Sequence, residues 1–206
     1  MSRLFIVRHG ETEWNARGVL QGASDVPLGK AGREQATQAA QALQTLVAPD
    51  ATLVSSPLSR AHDTALELAR HLGGEVHVDD RLRERAYGEW EGITPEARLE
   101  GWPDAVAAWH EHGDPGIAGF EGHDDVRARM VESLEQWSRA AVSDLVAFTH
   151  GSSARMGTMG LLGLPLTHRT LGNLGNAAWS RLRRNDDGTW TLERHQVTVA
   201  TLWTGP

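Results

Sequence analysis

Leu4-Phe5-Ile6-Val7-Arg8-His9-Gly10-Glu11-Thr12 is the stretch whose reading decides the fold. A short run of strand-forming apolar residues ends abruptly in a cation, an imidazole and a glycine, as when a strand delivers polar groups to its carboxyl edge. Ligands of open α/β sheets bind just beyond the carboxyl ends of the strands, and a glycine there lets backbone amides approach an anion closely. A buried strand followed by an ordinary polar turn has the same local signature, so the reading needs support from the rest of the chain.

Three later stretches supply it. In the first, the apolar run Thr52-Leu53-Val54 gives way to a Ser/Pro turn, Ser55-Ser56-Pro57-Leu58-Ser59, and then to a helical pattern with Arg60 at its start. Free N–H groups and the helix dipole already favour anions there, and a guanidinium strengthens the site. The second stretch, Arg81-Leu82-Arg83-Glu84-Arg85-Ala86-Tyr87-Gly88-Glu89-Trp90-Glu91-Gly92, sets carboxylates among arginines. The third, Leu145-Val146-Ala147-Phe148-Thr149-His150-Gly151, is again an apolar strand ending in His-Gly.

In this order the four stretches resemble the histidine phosphatase superfamily, in the branch that includes cofactor-dependent phosphoglycerate mutases and many phosphomonoesterases. The resemblance covers nearly the whole chain. It rests on Arg8-His9-Gly10-Glu11-Thr12 with Asn15, and on Gln21-Gly22 through Asp25-Val26-Pro27-Leu28. It continues in Ser56-Pro57-Leu58-Ser59-Arg60-Ala61 with Thr64, in Leu82-Arg83-Glu84 with Gly88 and Trp90-Glu91-Gly92, and in Thr149-His150-Gly151. It implies that Asn15 and the Gln21-Gly22 backbone help to hold a phosphoryl group, with Gly151 beside them. Without it, Asn15 reads equally well as the cap of a turn.

The chemistry follows from the residue types. A phosphoryl group passes through a covalent phosphohistidine when one imidazole nitrogen is a free nucleophile and the other is held as an N–H donor. His9 is the expected nucleophile, Arg8 and Arg60 are expected to pair with phosphoryl oxygens, and His150 to donate a further bond. None of this requires a metal or a cofactor. An alkoxide leaves poorly unless protonated, and of Glu84, Glu89 and Glu91 the residues alone select none; the resemblance implies Glu84 as the acid. Gly151-Ser152-Ser153-Ala154-Arg155 begins like a serine-hydrolase elbow but lacks its closing glycine, and no P-loop is present. A catalytically dead phosphoester-binding module on the same fold is disfavoured because both histidines and Glu84 are retained.

The expected fold class is α/β: a three-layer sandwich whose mainly parallel central sheet has helices on both faces, with an antiparallel edge hairpin and a small helical lid. Helices are expected from Ala31 to Val47, from Arg60 to a left-handed stop at Gly73-Gly74, from Asp124 to Val142, and after His150 to Leu162. Gly29 leaves the first of these poorly capped. The turn Asn185-Asp186-Asp187-Gly188 joins strand-like runs 177–184 and 189–195 into the hairpin. One domain, 1–206, is expected, with the lid at about 93–122 and Trp102 and Trp109 as its own small core. The run His110-Glu111-His112 is not expected to hold a metal, because alternate residues point different ways on a helix.

Composition narrows the function classes. With no cysteine there is neither disulfide nor thiolate chemistry, which suits a cytoplasmic location. No apolar stretch fits a signal peptide or membrane helix. A net charge of −7 leaves no basic face for nucleic acid or an anionic membrane, so phosphate binding must be local. The expected partner is a small-molecule phosphate ester, and a homodimer is left open. Between Ile93 and Gly122 the only Lys or Arg is Arg98, against Glu96, Glu100, Asp104, Glu111, Asp114 and Glu121. The chain also ends soon after its last strand, without a long tail. Both features favour hydrolysis of monoesters over a phosphoglycerate mutase, the alternative, unless Arg81, Arg83 and Arg85 form a second cationic subsite. The segment Leu171-Gly172-Asn173-Leu174-Gly175-Asn176-Ala177-Ala178-Trp179 is similar to that of some actinobacterial sugar-phosphoglycerate phosphatases. Gly119-Phe120-Glu121-Gly122 departs from the Gly-Gly-Glu-Ser of many phosphatase relatives.

Overall fold

Leu4, Phe5, Ile6 and Val7 are all fully shielded from solvent, because their strand is covered on both faces. Alternation along the strand sends Leu4 and Ile6 into one core and Phe5 and Val7 into the other. The structure, a computed structural model, describes residues 3–166 and 171–202. The terminal stretch 203–206 lies outside them.

Strand β1 (Arg3–Arg8) leads into a loop that holds the short helix α1 (Glu13–Ala16). Then come α2 (Lys30–Leu43), β2 (Thr52–Ser55), α3 (Ser59–Leu72) and β3 (Val76–Val78). Two 3₁₀ turns, Asp80–Leu82 and Gly88–Trp90, precede α4 (Pro95–Gly101), α5 (Pro103–His112) and α6 (His123–Ala140). The described chain closes with β4 (Leu145–Thr149), α7 (Gly151–Leu161), β5 (Trp179–Arg184), β6 (Trp190–Val197) and α8 (Val199–Leu202).

The sheet order is β3-β2-β4-β1-β5-β6. The first four strands run parallel, and β5 and β6 are antiparallel. Phe5, Val7, Val146 and Phe148 pack with Ala39, Ala40 and Leu43 of α2 and Ala65 and Leu68 of α3. Leu4, Ile6, Leu145 and Ala147 pack on the opposite face with Val126, Met130 and Leu134 of α6 and Ala154 and Met156 of α7. This is the expected three-layer α/β sandwich with an antiparallel edge hairpin. Each fully buried Leu, Ile or Phe contributes about 1.5–3 kcal/mol, so the strands that carry the site are also the most strongly held.

The expected starts and stops hold in the main, except that α2 ends at Leu43, four residues before Val47, where turn bonds such as Thr45 N–H to the Ala42 carbonyl replace the helical ladder. Helix α3 ends at Gly73 in the left-handed conformation (φ 73°), and Gly188 (φ 85°) closes the hairpin turn, where Asn185 N–H donates to the Thr189 carbonyl. Gly29 gives α2 no side-chain cap. Helix α3 also lacks a cap of its own; Asp25 Oδ1, from the loop after β1, accepts Ser59 N–H and Oγ–H at 2.8 Å each. Strand β5 starts at Trp179 rather than Ala177, because Ala177 has a positive φ of 54°.

Two expectations need correction. Gly10 does not bring its amide to an anion: the amide donates to Thr64 Oγ1. A glycine is required because α2 approaches so closely that a Cβ on Gly10 would stand 2.2 Å from the Gly32 carbonyl oxygen. Nor do Trp102 and Trp109 form a core within residues 93–122. Trp109 meets Trp90, Tyr87 and Phe120 edge-on, while Trp102 joins none of these ring pairs, so the aromatic cluster fastens the segment to the 84–90 loop. Among the described residues no helix is long and apolar enough to cross a membrane, and no group of three or more His, Cys, Asp or Glu is placed to hold a metal.

Candidate active site

The carboxyl ends of β1, β2 and β4 lie side by side, so parallel pairing alone gathers Arg8-His9, the Ser55–Arg60 corner and His150. The rings of His9 and His150, 141 positions apart in sequence, have centroids 5.1 Å apart.

His9 is buried, with Nδ1 2.6 Å from the Gly10 carbonyl. A carbonyl can only accept, so Nδ1 carries the proton and Nε2 keeps its lone pair. Burial, then the charges of Arg8 and Arg60, push the ring's pKa well below that of an ordinary histidine. The neutral imidazole is therefore the stable form at neutral pH.

His150 is also held neutral by burial and by Arg60. Its Nδ1 accepts from Arg60 Nε at 3.2 Å, which assigns its proton to Nε2, and this nitrogen lies 2.8 Å from Ser56 Oγ. Arg60, wholly buried, donates further to the carbonyls of Ser24 (2.8 Å) and Gly22 (2.9 Å). Arg8 Nη1 donates to the Leu174 carbonyl at 2.6 Å, and Arg8 Nε is buried without a partner.

A cavity of about 130 Å³ is lined by Arg8, His9, Asn15, Gln21, Arg60, Glu84 and Gly151 together with Val19, Leu20, Tyr87, Ser152 and Asn173. Gly22 and His150 stand behind this wall, touching it through Arg60. Gln21 Oε1, like Arg8 Nε, is a buried polar atom with no partner. Orphaned buried polar groups are costly, and two on the wall of one small cavity fit a site built for a polar ligand. Asn15 both caps and lines: its Oδ1 accepts from Thr12 N–H and Asn176 Nδ2, so Nδ2 is the atom available to a ligand.

Glu84 presents its carboxyl to the same cavity. Oε1 accepts from Arg85 N–H, Ser153 N–H and Ser153 Oγ–H, and Oε2 from Ser152 N–H, so the amino end of α7 fixes its direction. The other two carboxylates are placed differently. Glu89 is exposed, and Glu91 braces the loop after α1 by accepting from Ala23 N–H, Ser24 N–H and Oγ–H, and Tyr87 N–H.

Sequence reasoning did not single out Ser56, Tyr87, Ser152 or Asn173. All four stand within the motifs named above, but nothing in their spacing marks which residues near Glu84 and His150 face the cavity. Asn173 also lines a second cavity of about 540 Å³, with Trp109, His110, Glu111, His123, Arg155 and Leu171. The two spaces therefore share one lining residue.

The chain is 37% identical over 193 residues to a glucosyl-3-phosphoglycerate phosphatase of Mycobacterium tuberculosis, covering 87% of this chain and 84% of the relative. It is 32% identical to phosphoserine phosphatase 1 of Hydrogenobacter thermophilus, covering 87% and 85%. A solved mycobacterial glucosyl-3-phosphoglycerate phosphatase complexed with VO3 superposes with a TM-score of 0.88 at 33% identity, covering 96% of this chain and all of that one. The family profile of the histidine phosphatase superfamily (branch 1) matches residues 4–198, a span that contains every residue of the cavity wall. Sequence, fold and the paired strand-end histidines thus agree, and the chain belongs to the histidine phosphatase superfamily, branch 1.

Proposed function

We propose that this chain hydrolyses small-molecule phosphomonoesters through a phosphohistidine on His9, with Glu84 as proton donor. The observation that carries the reading is His9 itself: a buried, neutral imidazole with Nδ1–H tied to Gly10, and Nε2 free in a cavity shared with two arginines and one carboxyl group. Nε2 attacks phosphorus as the bond to the alcohol oxygen breaks, and the protonated Glu84 gives its proton to that oxygen. Water then attacks phospho-His9, passing a proton to Glu84 and restoring both groups. Arg8 and Arg60 stabilise the charge spread over the phosphoryl oxygens during both transfers. Asn15, Gln21 and the first turn of α7 from Gly151 complete the cradle. His150 acts first through Arg60; to bond a phosphoryl oxygen itself, its Nε2–H must leave Ser56.

The larger cavity favours a bulky alcohol. At about 540 Å³ it falls in the range of sites for whole small molecules, and a serine side chain would leave most of it filled with water. We therefore place a glycosylated phosphoglycerate ahead of phosphoserine as substrate. Phosphate release measured across a panel of metabolite monophosphates, including both, tests the ranking. In the same assay His9→Ala should lose on the order of 10³-fold or more in turnover while keeping wild-type circular dichroism. Full activity in His9→Ala would rule out the phosphohistidine route.

A further inference from the structure

We infer that Arg129 and Glu121 form a clamp that positions Glu84 for proton delivery, an inference that rests on the reading of Glu84 as the acid. Glu84 lies in an irregular segment between two 3₁₀ turns, so no helix or sheet ladder fixes its backbone. Thr149 Oγ1 holds the Leu82 carbonyl and Ser153 Oγ the Arg83 carbonyl, and α6 secures both sides of the acid. Arg129 Nη1 donates to the carbonyls of Arg81 and Arg83, both at 2.7 Å, on the amino side of Glu84. Arg129 Nε and Nη2 grip both oxygens of Glu121, at 2.7 and 2.9 Å. Glu121 in turn holds the carboxyl side, where its Oε2 accepts Ala86 N–H and its own N–H donates to the Ala86 carbonyl. One guanidinium thus binds both flanks of the acid, directly on one side and through a single carboxylate on the other.

The pairing is of the strong, geometrically specific kind. A bidentate guanidinium–carboxylate contact is charge-assisted on both bonds, and both partners are shielded, with side chains 12% and 16% exposed. Arg85 extends the clamp, donating to the Glu121 carbonyl at 2.6 Å while its guanidinium lies over the Phe120 ring at 4.0 Å. Neither Arg129 nor Glu121 lines the phosphate-sized cavity. Their effect on catalysis therefore runs through the segment they hold, which makes them positioning residues. A displacement of about 1 Å in a catalytic group can cost on the order of 10²-fold in rate.

The test compares kcat/KM, which reports phosphoryl transfer to the enzyme, for an alkyl phosphate and for p-nitrophenyl phosphate. Only the alkyl ester needs its leaving oxygen protonated. Glu84→Gln first establishes the reading beneath the inference, since it should lose at least about tenfold more on the alkyl than on the aryl ester. Arg129→Met keeps the aliphatic stem and removes every donor, and should show the same selectivity. The double variant Arg129→Met/Glu84→Gln should be no more selective than Glu84→Gln alone. Should Arg129→Met fail to fold, Glu121→Gln serves, because its amide nitrogen cannot accept from Arg129 or from Ala86. If Glu84→Gln is selective while the clamp variant that folds loses equally on both esters, the clamp is only structural and the inference falls. If Glu84→Gln is itself unselective, the acid assignment fails, and with it this inference.

Discussion

Arg60 meets three acceptors on two loops distant in sequence, and this is more than its charge alone would require. Its guanidinium reaches His150 on the loop after β4 and the carbonyls of Gly22 and Ser24 on the loop after α1, all from the first turn of α3. The planar fork serves these directions at once, whereas an ammonium on a flexible stem offers three donors from one point. Arg60→Lys should therefore keep the charge and still raise KM for a monophosphate by about tenfold or more, because the loop that carries Gln21 loses its tether. A KM within twofold of wild type would show that charge alone is the requirement. Arginine at a helix start was legible as an anion site; its role as a joint between loops was not, because carbonyl partners leave no trace in residue type.

Helix α2 and the end of β1 meet through two glycines, and the contact governs where His9 stands. A Cβ on Gly32 would come 1.9 Å from the Glu11 carbonyl oxygen, a backbone atom that can yield only if the strand end shifts. Overpacking a close contact typically costs about 1–3 kcal/mol, so Gly32→Ala should lower the melting temperature by several degrees. It should also reduce turnover, because the Glu11 backbone that must shift is bonded directly to Gly10, whose carbonyl orients His9. Unchanged melting and unchanged kcat together would refute this. The sheet and its helices were legible because a short continuous apolar run marks a strand covered on both faces, as with Leu4 to Val7, and a period near 3.6 marks a buried helix face, as with Val126, Met130 and Leu134. Long-range polar partners were less so. Glu91, Asp25 and Arg129 each secure a segment distant in sequence, and a charged residue that braces a loop looks the same in one dimension as one that faces water.

At the scale of the whole molecule, buried histidines and paired carboxylates set separate pH limits on stability. His9 and His150 have folded pKa values well below 6.5, and half-buried His123 is lowered to about 4, chiefly by burial and then by Arg85 and Arg155. The unfolded chain therefore binds these protons first. The stability that these groups contribute is complete above pH 6.5 and falls with pH down to about 4 or below, by up to about 1.4 kcal/mol per pH unit for each fully buried histidine and by less for the half-exposed His123. Asp79, Asp144 and Glu121 are lowered by arginine pairing, so their contributions are lost only below about pH 4. Thermal melts should accordingly decline in two stages, the first between pH 6.5 and 4, and a flat melting temperature over that first range would contradict the neutral-histidine assignment. The arginines that the sequence offered for a second subsite also bear on the choice between hydrolysis and mutase chemistry. A mutase must retain a bisphosphorylated intermediate, which calls for a second cationic subsite near the first. Arg81 is taken by Asp79, Glu132 and Gln136, Arg83 pairs with Asp80, and Arg85 is buried against Glu121, Gly113 and Phe120. Arg98 lies against the rings of Trp90 and Trp109. Each arginine proposed for a second subsite thus has partners elsewhere, and recruiting one would break contacts that hold the Glu84 segment. Incubation with 3-phosphoglycerate and catalytic 2,3-bisphosphoglycerate should therefore yield inorganic phosphate faster than 2-phosphoglycerate; rapid 2-phosphoglycerate formation, with little phosphate released from any monoester, would overturn the hydrolase reading.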